Sequence, residues 1–301
     1  MIREFEPTKL DEIDPIIERL IEQTEESQIP PNFLEQIKTA VSKDRGCIYG
    51  DYDEDGALRG IGFFGKVSSR ISFVFADGNR EIEQNLVSTL FERFSKERSF
   101  ITTGGPWVDD VMSQYIRKIG FSKHDRQHMT LAKPEIERLS EPEFPADMSI
   151  EVYIESHRDE ISELVFRGND SHVDQDVFPD FFATPEDCKR LLENIENNRY
   201  GDYKKQSSWI LRQDDVAIGA CFMTIRNGDT GYIPDIVIEP ELRGRGLGKA
   251  LLIHSMKRQS ENEESLEKID LDVTLSNNAY YLYESLGFKT VREYSIYTWR
   301  K

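Results

Sequence analysis

The sequence predicts an α+β fold in which one unit of strands and helices occurs twice in tandem. Two observations support this prediction. The same order of predicted strands and helices runs through both halves of the chain, and each half closes on a similar short motif. That motif is Ile116-Arg-Lys-Ile-Gly-Phe121 in the first half and Tyr283-Glu-Ser-Leu-Gly-Phe288 in the second, which places Gly120 and Gly287 167 residues apart.

The composition indicates a folded, acidic protein. Hydrophobic residues make up 38% of the 301 residues and aromatic residues 11%, which is enough for two domains with cores of their own. The net charge of −18 argues against nucleic acid or an anionic membrane as a partner, because both are bound mainly through Lys and Arg. Three widely spaced cysteines predict a reducing cytoplasm rather than a disulfide framework. A charged N-terminus and the lack of long apolar runs predict a soluble protein.

In the first half, hydrophobic periodicity predicts a strand, two helices, a hairpin, a strand, a helix, a strand, a short helix and a last pair of strands. These elements fall, in order, at 2–5, 10–21, 34–41, 46–67, 71–76, 82–94, 100–103, 111–119 and 121–131. Pro15 is expected in the first turn of the first helix, where proline is tolerated. The pair Asp55-Gly56 predicts the hairpin turn, and a calcium loop is rejected because Gly62 stands where a bidentate glutamate is needed.

The order of elements begins again after a polar linker. The linker contains Glu141-Pro-Glu-Phe-Pro145, and we place domain boundaries so that 1–138, 139–147 and 148–301 are the first domain, the linker and the second domain. The second half is predicted to have a strand, two helices, a hairpin about Asp214-Asp215, a strand, a helix, a strand, a short helix and closing strands. The elements before the short helix fall at 148–154, 161–166, 185–195, 208–226, 236–238, 247–257 and 269–273, and the short helix is expected before Gly287.

The stretch 232–257 joins a strand, a glycine-rich turn and the start of a helix. β-branched residues at 236–238 predict the strand, which ends at Pro240 because proline has no amide hydrogen for a ladder. The turn contains Gly244, Gly246 and Gly248. Unpaired amides in the first turn of a helix, together with the helix dipole, hold phosphate oxygens. The stretch therefore predicts an anion-binding turn.

Two common phosphate motifs do not fit this turn. A Walker loop requires Gly, four residues and then Gly-Lys-Ser/Thr, but Arg243 stands at the first glycine and Ala250 replaces the magnesium-binding hydroxyl. A dinucleotide fingerprint requires Gly-x-Gly-x-x-Gly, and the spacing of the three glycines is different. The turn does meet the pattern Arg/Gln-x-x-Gly-x-Gly/Ala, with Arg243, Gly246 and Gly248 at its defining positions.

This pattern resembles the acyl-CoA-binding segment of the GCN5-related N-acetyltransferases, the GNAT superfamily, and the element order of both halves resembles the GNAT fold. The resemblance implies two tandem GNAT-like domains, each a mixed, mostly antiparallel twisted sheet flanked by helices. It also implies that the amides of Ile236, Val237 and Ile238 bind the pantetheine arm of CoA as an added strand would. The implied pyrophosphate-binding residues are Arg243, Gly244, Arg245, Gly246, Leu247, Gly248 and Lys249.

Residues 271–288 resemble the second CoA segment of the family, in which a strand leads into a short helix. The resemblance implies that Tyr283 of this helix protonates the departing CoA thiolate, a role that a phenol can serve when it lies within hydrogen-bond reach. Packing of the Tyr283 ring beneath the helix is the alternative. The family usually leaves two residues between its Asn and Ala, whereas one stands between Asn277 and Ala279, so either Ser276 or Asn277 is expected to contact CoA.

The general base is the next candidate residue. An ammonium acceptor must lose a proton before it attacks, and Asp235 is the first candidate, followed by Glu239. A solvated carboxylate is the alternative for each of them. The segment 168–182 lies between two helices, where GNAT-like folds bind the acceptor, and its carboxylates and phenylalanines are suited to a cationic amine. A polar loop held in place by its aromatic residues is the alternative. His124 and His128 have a zinc-like spacing but lie on a predicted strand, so they are expected to face solvent.

In the first half, Asp77-Gly78-Asn79-Arg80-Glu81-Ile82-Glu83 stands where the glycine turn would be. Only one glycine remains, and Glu81 and Glu83 would repel pyrophosphate while stabilising the helix through its dipole. We therefore expect the first half to be a degenerate GNAT domain that supports folding or shapes the acceptor site.

The resemblance implies an enzyme, an N-acetyltransferase that moves an acetyl group from acetyl-CoA to a primary amine by direct attack in a ternary complex, without a metal. The alternative is a CoA-binding sensor or scaffold without transferase activity. Binding of ATP or NAD is a second alternative. A small amine, an antibiotic, a peptide N-terminus and a protein lysine all stay open as acceptors, and so do the acyl chain length and the oligomeric state.

Overall fold

The computed structural model describes residues 1–24, 32–170 and 172–301, which form two compact units. Unit 1 consists of Met1–His124 and Ser295–Lys301, and unit 2 consists of Asp125–Tyr294. This division differs from the linker at 139–147 that the repeat predicts. Residues 125–138 precede that linker but belong to unit 2, and residues 295–301 belong to unit 1.

Unit 1 contains most of the predicted elements of the first half. They are β1 (Ile2–Glu4), α1 (Asp14–Gln23), α2 (Phe33–Ser42), β2 (Gly46–Tyr52), β3 (Leu58–Gly65), β4 (Arg70–Phe75), α3 (Arg80–Phe94), β5 (Phe100–Gly104) and α4 (Asp110–Lys118). A 3-10 helix at Pro7–Ile13 precedes α1, and Pro15 lies in the first turn of α1 as predicted. In the β2–β3 turn, the Asp53 carboxylate accepts hydrogen bonds from the amides of Asp55 and Ala57, which confirms the predicted hairpin.

The strands of unit 1 form a mixed sheet in the order β1-β2-β3-β4-β5, followed by the end of the last strand of the chain. Strands β1 to β4 pair antiparallel, whereas β4 and β5 are parallel. Helix α3 packs on one face of the sheet, and α1 and α2 pack on the other. Each face therefore buries its own apolar cluster.

Unit 2 contains the remaining elements. They are most of β6 (Ser122–Ala132), α5 (Lys133–Arg138), β7 (Met148–Val152), α6 (Arg158–Asn169), α7 (Val173–Val177), α8 (Pro179–Phe182), α9 (Pro185–Glu196), β8 (Asp202–Tyr203), β9 (Trp209–Gln213), β10 (Val216–Arg226), β11 (Thr230–Ile238), α10 (Leu247–Asn262), β12 (Lys268–Thr274), α11 (Ala279–Leu286) and the first part of β13 (Lys289–Arg300). The β9–β10 hairpin turns at Asp214 and Asp215, both with positive φ, as predicted.

The sheet of unit 2 has the order β6-β12-β11-β10-β9-β7, with the short β8 paired to β10. All of its neighbouring pairs are antiparallel except β11 and β12. Helices α6 and α9 cover one face, and α10 and α11 cover the other. The mixed, mostly antiparallel sheet with flanking helices is the fold class that the sequence predicts.

The predicted pairs of closing strands are wrong in both halves, because each pair is a single long strand. Strand β6 runs from Ser122 to Ala132, and β13 runs from Lys289 to Arg300. Neither segment contains glycine, proline or asparagine, three of the residues that a tight turn favours. Residues 126–132 of β6 pair with β12 in unit 2, whereas residues 296–300 of β13 pair with β5 in unit 1.

Candidate active site

Strand β11 separates from its parallel neighbour halfway along its length. Its pairs with β12 are at Thr230, Gly231 and Tyr232, and the ladder with β10 shifts register between Tyr232 and Asp235. Beyond this bulge, β11 continues to Ile238 with β10 as its only partner strand among the described residues. The edge of β11 that faces away from β10 is therefore open along Ile236, Val237 and Ile238, where a ligand could add as a strand.

The glycine turn follows this open edge and leads into α10. Gly244 and Gly246 have φ of 76° and 80°, the left-handed region that favours glycine, and a Cβ added to either would meet no atom within 4 Å. Gly246 is the N-cap of α10, whose first turn has neither an acidic residue nor a side-chain cap. Leu247 is buried and anchors the helix in the core. The first amides of α10 thus point into open space, as phosphate binding requires.

Arg243 braces the turn rather than projecting freely from it. Its Nε donates to the carbonyl oxygen of Ile238 at 3.2 Å, and its Nη2 donates to that of Gly168 at the end of α6. A Cβ on Gly168 would lie 2.2 Å from Cγ2 of Val237, so only glycine allows α6 to pack this close to β11. The cationic side chains of Arg245 and Lys249 are exposed at the turn.

Tyr283 lies on α11 and is buried in the core between that helix and the sheet. Its ring packs edge-on against Phe288, with centroids 5.8 Å apart. Burial raises the pKa of Tyr283, and the nearby Cys221, Asp174 and Asp235 raise it further. The phenol is therefore protonated at neutral pH and close to two carboxyl groups.

Asp235 lies at the start of the open edge and has an unusual carboxyl group. Its Oδ2 atom is buried and has no hydrogen-bond partner among the described residues. Burial raises the pKa of Asp235 to about 7, with a further contribution from the negative charge of Asp174. A carboxyl group with this pKa exchanges its proton near neutral pH, as a general base must.

Glu239, the second candidate base, is already paired. Arg167 donates to both of its carboxylate oxygens, with Nη2 to Oε2 at 2.7 Å. Both carboxylate oxygens of Glu239 are thus bound by Arg167, whereas Oδ2 of Asp235 has no hydrogen-bond partner among the described residues.

Asp174, in the segment 168–182, connects that segment to the loop between β12 and α11. Its Oδ1 accepts from the Thr274 hydroxyl at 3.2 Å, and its Oδ2 accepts from Nδ2 of Asn277 at 2.7 Å. Burial alone would raise its pKa, but His172, Arg126 and Thr274 outweigh burial and hold the pKa below its ordinary value. Asp174 is therefore ionised beside Asp235. Ser171 of this segment lies outside the described residues.

The two predicted CoA contacts of the β12–α11 loop differ in their environment. The Asn277 side chain is bound within the protein, since its Nδ2 donates to Asp174 and its Oδ1 caps the amide of Ala279 at 2.8 Å. Ser276 is exposed. Of the two alternatives, the structure favours Ser276 for contact with CoA.

The expectation that His128 faces solvent is wrong. Its imidazole lies between Asp270 and Asp272 of β12, with Nε2 and Nδ1 each 3.2 Å from a carboxylate oxygen. These two carboxylates raise the pKa of His128 to about 9. The reason is the antiparallel register, which places His128 directly opposite Asp272. No group of three potential metal ligands occurs in the described part of the chain.

Sequence reasoning also missed the buried Arg126. It contacts Thr274, Tyr294 and the backbone of Asp272, residues that follow it by about 150 positions or more. Residues 122–128 of β6 are all polar, so the sequence does not distinguish Arg126 as a buried residue. The sequence contains no local pattern that identifies its partners.

In unit 1, the corresponding helix start is closed by its own side chains. The Asn79 carboxamide oxygen accepts from the amide of Ile82 at 3.3 Å, and the buried Glu83 pairs with Arg80 at 2.7 Å. Beside the parallel strands β4 and β5, the indole of Trp107 donates to the carbonyl oxygen of Ser72 at 3.1 Å. The start of α3 is thus capped by a side chain, whereas the start of α10 is not.

Comparisons with known proteins agree with this arrangement. A model of the acetyltransferase (GNAT) family matches residues 173–288. The chain is similar over 100% of its length to 95% of a GCN5-related N-acetyltransferase from Sphaerobacter thermophilus, at 13% identity and a TM-score of 0.60. It is similar over 100% of its length to 98% of a tandem GNAT protein from the clavulanic acid biosynthesis pathway, at 14% identity and a TM-score of 0.57.

A GNAT-family acetyltransferase from Colwellia psychrerythraea has a TM-score of 0.52 at 10% identity, with 100% of both chains covered. A comparison with curated proteins finds no match. Within the described residues, no helix combines the length and the apolar character that crossing a membrane requires. Residues 173–288 therefore match the model of the acetyltransferase (GNAT) family, and the chain as a whole has the fold of a tandem GNAT protein.

Proposed function

We propose that unit 2 transfers an acetyl group from acetyl-CoA to a primary amine by direct attack in a ternary complex. The GNAT domain indicates an acyltransferase in general. The observation that carries the finer proposal is the open edge of β11, at whose start Asp235 has a buried Oδ2 atom with no hydrogen-bond partner among the described residues. Burial raises the pKa of Asp235 to about 7 and keeps Tyr283 protonated, so Asp235 can accept a proton near neutral pH and Tyr283 can donate one.

The residues that hold acetyl-CoA in this proposal follow the open edge and the glycine turn. The amides of Ile236, Val237 and Ile238 bind the pantetheine arm, and those of the turn from Arg243 to Lys249 bind the pyrophosphate. Ser276 contacts CoA from the β12–α11 loop. The open strand edge, the uncapped start of α10 and the empty space over Gly244 and Gly246 support this assignment.

Proton transfers accompany each stage of the reaction. Asp235 accepts a proton from the ammonium group of the acceptor, and the resulting amine forms a bond to the acetyl carbonyl carbon. The carbon–sulfur bond breaks, and Tyr283 donates its phenolic proton to the thiolate that leaves. The nitrogen loses its second proton to water as the amide forms, and Tyr283 and Asp235 return to their starting protonation states by exchange with water. The products are an amide, free CoA and one released proton.

The segment from His172 to Phe182 forms the acceptor side in this proposal. It places the ionised Asp174 and the aromatic rings of Phe178, Phe181 and Phe182 in one stretch of chain, a combination suited to a cationic amine. Unit 1 is proposed to be a degenerate GNAT domain, because Asn79, Glu83 and Trp107 fill the positions that CoA would need.

The decisive experiment is an acceptor panel with acetyl-CoA and detection of free thiol, run with Tyr283→Phe and Tyr281→Phe. Tyr281 lies on the same helix but is 67% exposed, so it is a matched control. We expect Tyr283→Phe to lower kcat by about 10²-fold or more, the usual contribution of a general acid, with little change in CoA affinity. Tyr281→Phe should behave as the wild type.

The alternative, a CoA-binding sensor or scaffold, gives a different result. CoA would raise the melting temperature of the wild-type protein, but no amine of the panel would release thiol. Equal kcat values for Tyr283→Phe and the wild type would remove Tyr283 from the proposed mechanism.

A further inference from the structure

We infer that Arg126 is a positioning residue for the acceptor side of the site, an inference that rests on the proposed function. Arg126 comes from β6, which precedes the linker predicted between the two repeats, and it lies within unit 2. The residue is only 5% exposed. A buried guanidinium is stable only when its donors are bound, so its partners show what it holds in place.

The guanidinium of Arg126 is bound on three sides. Its Nε donates to the Tyr294 hydroxyl at 3.1 Å, its Nη1 donates to the Thr274 hydroxyl at 2.8 Å, and its Nη2 donates to the Asp272 carbonyl oxygen at 3.1 Å. These partners lie on β12 and β13, so the strands of the sheet fix the guanidinium plane.

Two contacts lead from this fixed plane to the segment 172–182. The Thr274 hydroxyl, which accepts from Arg126, donates onward to Oδ1 of Asp174 at 3.2 Å. The guanidinium carbon also lies 4.6 Å from the ring centroid of Phe178, a cation–π distance. Arg126 thus holds in place both the ionised Asp174 and the ring of Phe178, which belong to the segment 172–182 on the proposed acceptor side.

The charge of Arg126 contributes to the same function. Asp174 is a mostly buried carboxylate beside another carboxyl group, and Arg126 is one of two cations that favour its ionised form. Removal of Arg126 leaves His172, the Thr274 hydroxyl and the side-chain amide of Asn277 to stabilise Asp174. The segment then loses one of its anchors to the sheet, while α10 and the open edge of β11, which bind CoA in our proposal, keep theirs.

The test compares Arg126→Lys and Arg126→Met with the control Arg212→Met. Arg212 is also bound by charged partners, Glu151 and Glu160. It lies on β9, and none of its hydrogen bonds among the described residues reaches the segment 172–182. We expect both Arg126 variants to raise KM for the amine by about tenfold or more, as loss of a charged hydrogen bond does. KM for acetyl-CoA should stay within about twofold, and Arg212→Met should change neither value.

Lysine keeps the charge but cannot reproduce the planar contacts of arginine, so Arg126→Lys should not restore the KM for the amine. If one of these variants does not fold, Phe178→Leu tests the same cation–π contact by removing the ring that Arg126 faces. The effects of Arg126→Lys and Phe178→Leu on KM for the amine should be less than additive, because both break one interaction.

Amide hydrogen exchange tests the positioning role without using activity. We expect faster exchange in residues 173–182 of Arg126→Lys and unchanged exchange in β10 and β11. Unchanged exchange in 173–182, or an equal rise of KM for amine and acetyl-CoA, would overturn the role of Arg126. A wild-type protein that releases no thiol with any amine would instead refute the proposed function, and the exchange result would still decide the positioning role.

Discussion

At the scale of single residues, the proposed chemistry depends on Asp235, whose carboxyl group has a raised pKa, and on Asp174, whose negative charge contributes to that rise. Asp235 has a pKa raised to about 7, first by burial and then by the charge of Asp174. Asp174 stays ionised because His172, Arg126 and Thr274 outweigh its own burial. The two aspartates therefore have opposite shifts of pKa, which supports our proposal of Asp235 as the base and of Asp174 in a supporting role.

A pH profile tests this relationship. Asp235 must be ionised to accept a proton, so kcat/KM for the amine should fall as the pH drops below about 7. Asp174→Asn removes the negative charge that raises the pKa of Asp235, and we expect the acidic limb of the profile to move to lower pH. Asp176→Asn, a neighbouring substitution of the same type, is the control and should leave the limb in place. A limb that does not move with Asp174→Asn would show that the two carboxyl groups are not coupled.

At the scale of elements, the starts of α10 and α3 show how one local structure is used in two ways. Helix α10 begins with Gly246 and no acidic residue, which leaves its first amides for a ligand. Helix α3 begins with Asn79, whose side chain caps the amide of Ile82, and carries Glu81 and Glu83 in its first turn. The first arrangement favours an anion and the second repels one.

Glycine substitutions distinguish these two turns. Gly246 and Gly78 have nearly the same φ, 80° and 78°, and a Cβ on either meets no atom within 4 Å. We expect Gly246→Ala and Gly78→Ala to lower stability by a similar amount, about 1 kcal/mol, because alanine is strained at positive φ. Only Gly246→Ala should also weaken CoA binding, by about tenfold, measured by calorimetry. Equal CoA affinities for the two variants would contradict phosphate binding at α10.

At the scale of the whole molecule, the compact units do not coincide with the sequence repeats. Strand β6 pairs with β12 from Arg126 to Ala132, and its Met129 and Leu131 are buried in the core of unit 2. Residues 295–301 belong to unit 1, where Tyr297 is part of the apolar cluster under α3. Each unit is therefore completed by a strand that the repeat assigns to the other half.

Truncation tests whether unit 2 needs β6 in order to fold. A chain of residues 125–294 keeps β6 and should fold, with cooperative thermal unfolding. A chain of residues 139–294 lacks the β6 ladder and the buried Met129, Leu131 and Ile136, and we expect it not to fold, since large-to-small changes at single core positions already cost about 2–5 kcal/mol each. Circular dichroism and calorimetry measure both outcomes. Cooperative unfolding of the shorter chain would show that the second repeat folds without β6, and would contradict this prediction.

The sequence alone determined the features that depend on near neighbours in the chain. The strand, glycine turn and helix at 232–257 were predictable because positive φ, helix start and strand end are local properties, and so was the hairpin turn at Asp55-Gly56. Asp235 and Tyr283 could be named from their places in these segments. Their pKa values could not, because burial and charge depend on residues brought together from across unit 2.

The tertiary structure alone decided the contacts between distant parts of the chain. The places of Arg126 beside Thr274, of His128 between Asp270 and Asp272, and of β6 within unit 2 depend on pairings across more than 100 residues. Such pairings are selected by the packing of whole faces of a sheet and leave no spacing pattern in the sequence. For this reason the residues proposed to bind CoA could be named from the sequence, whereas the contacts that hold the segment 172–182 in place follow from the fold.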